Sequence, residues 1–245
     1  MLGQLLQGLD LNEEVESHDL EAPSGTNYIN ENGIFPVTIE KAFMTETKKG
    51  GVQLDVHFGG ANPINIRMYI VSVGKDGKRT TTCKMQGKTV SLPDFKLMKQ
   101  LYFVATGEGK DLGDIKTKVE TIKYKEYGKD IEVEAETIVD LIGKQVNIAI
   151  RLEEEYNYEN GEVDKTSLKV DSNGNTRYKK TLDDVYSAEG LHAIEIIKKS
   201  EPKLMKAKET FLLSDKGIKR VKLELPEIED EDGLALDDSD EIIDF

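Results

Sequence analysis

The run FPVTIEKAFMTETKKGGVQLDVHFGGANPINIRMYIVSV, Phe35 to Val73, holds three successive stretches of alternating character. In the first, Phe35, Val37, Ile39 and, past Lys41, Phe43 share one face, with Thr38 and Glu40 opposite. Gly50-Gly51 turns the chain, and Val52, Leu54, Val56 and Phe58 then alternate with Gln53, Asp55 and His57. The third sets Ile64, Ile66, Met68 and Ile70 against Asn65, Arg67, Tyr69 and Val71. A period of two is that of the pleated strand, whose side chains point alternately to opposite faces. Half-buried antiparallel strands follow, and the outer face of the third carries an arginine beside a tyrosine.

Outward from this run the pattern changes. GKDGKRTTTCKMQGKTVSLP contains an Asp76-Gly77 turn signal and five basic residues, Lys75, Lys78, Arg79, Lys84 and Lys88, which reads as a basic, mobile hairpin or loop. Beyond Pro93 the period shifts towards 3.6, with Phe95, Met98 and Tyr102 together and Leu97, Leu101 and Val104 beside them, until Gly107 ends the helix. Strand-like runs resume around Val119 to Tyr127 and at Val146, Ile148, Ile150 and Leu152. Asn160-Gly161 and Asn173-Gly174 mark a long hairpin or excursion, and after the apolar run LHAIEII a second helix is expected from Pro202, with Leu204, Ala207 and Phe211 on one face. The result is a mainly β fold with minor α: five or more strands, two short helices and no βαβ rhythm, which points to a small antiparallel barrel or sandwich.

The 245 residues suit one domain with extensions. The single cysteine, Cys83, excludes an internal disulfide framework and a Cys-rich zinc site, and fits a reducing, intracellular compartment. Residues 1–32 read as a flexible arm that is neither a signal peptide nor a membrane span, since they lack a basic start and their apolar residues are interrupted. The formal charge of −14 is unevenly placed: Pro226 to Phe245 holds ten acids and no Lys or Arg, and without it the chain carries only −4. Asn62–Asp130 and Lys165–Lys222 each hold fourteen basic residues against eight acids. A near-neutral body with basic segments is thus joined to an acidic tail.

Enzyme chemistry lacks its parts. His18, His57 and His192 do not sit at ligand spacing from one another or from Cys83, and surface or packing roles account for them. GKDGKRT lacks the glycine spacing of a phosphate loop, and TGEGKDLGD follows a helix where a dinucleotide fingerprint would open one. No catalytic residue, metal site or cofactor is assigned. Single-stranded nucleic acid, by contrast, is held by a cationic groove along the phosphates and by rings on which bases stack. Arg67 and Tyr69 share a strand face next to the Lys75, Lys78, Arg79, Lys84, Lys88 loop; Lys123, Tyr124, Lys125 and Tyr127 interleave base and ring; Arg177 and Tyr178 do so again before Lys179 and Lys180. Taken singly each has an ordinary structural use, Tyr69 as a core cap and the lysines as solvated surface.

The tail ends DDSDEIIDF. Ten carboxylates with few apolar residues predict disorder. Such a tail resembles a phosphate backbone and suits weak competition for the protein's own basic groove. Asp237, Asp238, Asp240 and Glu241 lead to an apolar tip of Ile242, Ile243 and Phe245 around Asp244, which fits a partner's hydrophobic pocket rimmed by Lys or Arg.

That ending is similar to the acidic tails of bacterial and phage single-stranded DNA-binding proteins. LPDFKLMKQLYFVATGEG (Leu92–Gly109), VDLIGKQVNIAI (Val139–Ile150) and KTLDDVYSAEG (Lys180–Gly190) resemble segments of the members encoded by tailed bacteriophages, over about Gly33 to Glu201. The resemblance implies an OB-fold-like antiparallel β-barrel over 33–222 and a disordered, partner-binding tail over 223–245. It also implies coating of single-stranded DNA in replication, recombination and repair, in the cytoplasm of an infected bacterium, with polymerase, helicase or primase recruited through the acids and Phe245. Relatives with a Cys-and-His zinc site have ligands that Cys83 alone does not supply, so a metal-free branch is expected. The alternative reading is a non-enzymatic adaptor or virion structural protein whose basic patches face another protein. Stacking and phosphate contacts serve RNA as well as DNA.

Overall fold

The computed structural model describes residues 31–61, 63–74, 77–85, 88–107, 115–126, 129–159 and 162–223. These fall into two compact units, one drawn from Met1–Glu153 and Lys179–Lys219, the other from Glu154–Tyr178 and Arg220–Phe245. The strands are β1 (Gly33–Glu46), β2 (Val52–Gly59), β3 (Ile64–Val73), β4 (Arg79–Thr80), β5 (Thr82–Met85), β6 (Lys88–Ser91), β7 (Thr117–Glu126), β8 (Lys129–Ile138), β9 (Gln145–Glu154), β10 (Tyr156–Glu159), β11 (Glu162–Leu168) and β12 (Tyr178–Ser187). The helices are α1 (Pro93–Thr106), α2 (Ala193–Lys198) and α3 (Leu204–Leu212). The fold is mainly β with minor α, as the alternation predicts.

A large antiparallel sheet runs β12-β9-β1-β2-β3-β4, and β8 pairs with both β1 and β7. β1 organises it. Ile39 pairs with Phe58, whereas Lys41 pairs with His57, so Glu40 is an extra residue that bulges the strand. Before the bulge β1 pairs with β9, from Gly33 against Ile150 to Thr38 against Gln145; after it, Phe43 and Met44 pair with Thr137 and Glu136 of β8. Between these partners a short 3-10 turn at Val139–Leu141 passes β1, where Ile39 donates to the Lys144 carbonyl and accepts from the Gly143 N–H.

The bulge corrects one expectation. Strict alternation places Phe43 with Val37 and Ile39, but the extra residue exchanges the two faces. Ala42 and Met44 join Val37 and Ile39 in the main core, and Phe43 enters a separate cluster with Ile122 and Ala135. The main core also takes Leu54, Val56, Phe58, Ile66, Met68 and Ile70, and α1 closes it with Met98, Leu101, Tyr102 and Val104. Burial of this kind is worth roughly 1.5 to 3 kcal/mol for each large apolar side chain. Pro93 opens α1 and Gly107 ends it at φ 72°, a backbone conformation that costs glycine little.

Two strands are absent from the sequence reading. In β8, Ile131, Val133 and Ala135 alternate with Glu132, Glu134 and Glu136, and carboxylates at every second position obscure a strand whose Glu136 is in fact buried. β12 contains Asp183 and Asp184. The LHAIEII run forms α2 at its end, and the second expected helix begins at Leu204, two residues beyond Pro202. In the second unit β10 and β11 form a hairpin, followed by a turn at Gly174 whose Asp171 carboxylate accepts from the Asn173 and Asn175 N–H groups. Among the described residues no helix is long and apolar enough to cross a membrane.

Candidate nucleic-acid interface

The face of the sheet opposite the main core carries Lys41 and Phe43 from β1, Asp55 and His57 from β2, and Asn65, Arg67 and Tyr69 from β3. It is not flat. β7 and β2 are three ladder steps apart, about 14 Å in a planar sheet, yet the rings of Tyr124 and His57 approach to 5.4 Å between centroids. Phe43 lies 5.4 Å from each of them. The β7–β8 hairpin therefore curls over the face and makes it concave. The Lys41 Nζ spans the same gap and donates to the Lys123 carbonyl at 2.7 Å.

Arg67 and Tyr69 stand together, as the alternation of β3 predicts. The Arg67 Nε donates to Asp55 Oδ1 at 2.7 Å, and Gln53 donates to the other oxygen of that carboxylate at 3.1 Å. Asp55 is buried, so it aims the guanidinium along the face. Tyr69 is 57% exposed, while its backbone N–H is tied to the Asp94 carboxylate of α1 at 2.7 Å. A large ring on a fixed backbone is thus presented to solvent beside a cation.

The other predicted residues are distributed. Arg79 is on β4 at the β1–β2 turn, where it donates to the Gly50 carbonyl and pairs with Glu46 at 2.9 Å. Lys78 is exposed just before it. Lys84 and Lys88 are exposed on the β5–β6 hairpin, a separate two-stranded sheet. Lys123 is exposed and lies 3.6 Å from Glu132. Tyr124 belongs to the ring cluster, packed on Phe43 and His57, and Lys125 follows it on β7. Arg177 is exposed in the second unit, its N–H donating to the Lys169 carbonyl, and Tyr178 begins β12. Lys75, Tyr127 and Asp237, Asp238, Asp240, Glu241, Ile242, Ile243, Asp244 and Phe245 lie outside the described residues.

The sequence reading missed Lys41, Phe43 and His57. The alternation of β2 does set Asp55 and His57 on the outer face, so their signal is present; that of Phe43 is hidden by the bulge. Burial lowers the His57 pKa to about 4, helped by the charges of Lys41 and Arg67. At neutral pH His57 is an uncharged ring in the wall of the concavity. Burial likewise lowers the Lys41 pKa, against the pull of Glu40 and Glu120. Among the described residues no group of three or more His, Cys, Asp or Glu is placed to hold a metal ion. Phe43, His57 and Lys41 are buried in this face, so what it presents to solvent is the Tyr69 ring with Arg67 and Asn65 beside it. Neither a protein-family model nor a curated protein sequence matches the chain.

Proposed function

We propose that the chain is a non-enzymatic, sequence-independent single-stranded DNA-binding protein acting in phage replication, recombination and repair. In this reading the concave face receives the strand, and Asp237–Phe245 recruits replication proteins such as polymerase, helicase or primase. The observation that carries the reading is Tyr69, an exposed ring fixed beside Arg67 at the margin of a curved face. Base stacking on such a ring contributes about 1 to 3 kcal/mol and tolerates any sequence, while cations supply a salt-sensitive attraction. The β5–β6 lysines extend the supply of positive charge.

The test is anisotropy of labelled oligo-dT with the full-length protein and with a form ending at Leu225, over a range of salt. Binding that weakens with salt, and tightens when the acidic tail is removed, supports the reading. No binding at low salt by either form overturns it and leaves the adaptor or virion reading, in which basic patches meet another protein. Competition by oligo-U at equal affinity would extend the substrate to RNA.

A further inference from the structure

Away from the concave face, α3 and β12 of the first unit enclose a pocket of about 320 Å³. Leu204, Ala207 and Phe211, at positions i, i+3 and i+7 of α3, make its apolar wall together with Tyr186. The polar groups that reach it are already engaged. Asp184 accepts from the Val185 N–H at 2.9 Å and from the Tyr186 hydroxyl at 2.7 Å, and Lys208 pairs with Asp183 at 3.0 Å. The open space therefore selects for a large apolar group.

The surface around the pocket is both ordered and uncovered. The buried Glu195 carboxylate accepts from the N–H groups of His192 at 2.9 Å, Lys203 at 2.7 Å and Leu204 at 2.9 Å, so one side chain ties the start of α2 to the start of α3. A surface fixed in this way loses little further freedom on binding. Yet of the nine residues of α3 only Leu212 is buried. Five of the ten large apolar residues exposed among the described residues fall between Ile194 and Leu213, including Ile197, 67% exposed. Apolar exposure concentrated around a pocket marks a binding surface.

Charge and shape select the occupant. Lys198, Lys199, Lys203 and Lys206 are exposed on these two helices and the turn between them, against the exposed acids Glu201 and Glu209. Glu201 meets Lys203 at 3.5 Å, which leaves a cationic excess. The same face of a second copy would bring like charges together. Nucleic acid would meet the lysines, but four of the five exposed apolar residues are aliphatic and offer no ring to a base. Carboxylates among bulky aliphatic side chains satisfy both features, and α3, about 13 Å long, matches roughly two to three turns of an opposing helix. We propose that α2 and α3 dock an acidic amphipathic helix of a partner protein, with one of its large apolar side chains in the pocket against Phe211 and its carboxylates among Lys198, Lys199 and Lys206. The inference is independent of the concave face and of its nucleic-acid affinity.

The test is anisotropy of a labelled synthetic peptide of about 14 residues, glutamate-rich with leucines and one phenylalanine along a single helical face, against the full-length protein. Binding is expected to saturate and to weaken with salt. Ala207→Glu, at an exposed helical position that lines the pocket, should weaken it about tenfold with an unchanged far-ultraviolet spectrum, as should Lys198→Glu with Lys206→Glu. Tyr69→Ala should leave it unchanged. No saturable binding at low salt, equal binding by Ala207→Glu, or equal binding of a peptide with lysine in place of glutamate each overturns the proposal. Displacement of the peptide by oligo-dT, with dT affinity lost in Ala207→Glu, also overturns it and assigns the pocket to nucleic acid. Self-association in sedimentation that Ala207→Glu abolishes overturns it in favour of a second copy. Oligo-dT binding that survives Ala207→Glu upholds the reading of the concave face whichever way the peptide result falls.

Discussion

On one face of β1, β2 and β3, Val56, Met68 and Ile70 belong to the main apolar core; on the other, Lys41, Asp55, His57 and Arg67 are charged or titratable, and Lys41 and His57 meet the β7–β8 hairpin. The backbone is shared, and side-chain direction alone separates the faces. The core face gains by excluding water. The concave face pays desolvation, offset by the Arg67–Asp55 pair, the Lys41 hydrogen bond and the ring cluster. It follows that substitutions on the first face should act on stability, and those at the open margin of the second on binding.

The largest effect expected is on the core face. Phe58→Ala removes a fully buried ring and should cost about 3 to 5 kcal/mol in urea unfolding, a large share of a domain's net stability. Tyr69→Ala should change stability by about 0.5 kcal/mol or less, because its ring is exposed. Equal costs for the two would break the distinction between the faces.

The next effect sharpens the buried part of the concave face. His57 has a folded pKa of about 4 against an ordinary 6.5. The unfolded chain takes up a proton in that interval that the folded chain refuses. The contribution is whole above pH 6.5 and is lost as pH falls towards 4, on the order of 3 kcal/mol. Urea midpoints of wild type and His57→Gln across this window should differ in slope, the variant being the flatter. Parallel curves would show that His57 is not held neutral by burial.

Two smaller effects concern binding. Tyr69→Ala should weaken oligo-dT affinity roughly tenfold at fixed salt, the loss of one stacked base. Lys84→Ala and Lys88→Ala should each flatten the plot of log affinity against log salt by about 0.7, if each meets a phosphate. An unchanged slope would remove the β5–β6 hairpin from the interface.

The main core was readable because alternation and burial agree in β2 and β3, and a 3.6-residue period stands between Pro93 and Gly107. β8 was not readable, since its pattern of Glu132, Glu134 and Glu136 looks solvated and one of the three is buried against β1. The pairing of Arg67 with Tyr69 on one face was legible from their spacing of two. The ring cluster was not, because Phe43, His57 and Tyr124 come from three strands spread over eighty residues. The α3 face of Leu204, Ala207 and Phe211 was legible as an apolar stripe, but not as the wall of an open pocket.

Local sequence by itself determined which segments pair their apolar residues every two or every 3.6 positions, and where charge accumulates along the chain. Backbone geometry imposes those periods on any chain, so no tertiary information is needed to see them. Only the tertiary structure decided which face Phe43 joins, how far β7 curls towards β2 and which carboxylates are engaged inside. Each depends on one unpaired residue, Glu40, or on contacts between strands far apart in sequence, where a shift of one position exchanges the two faces.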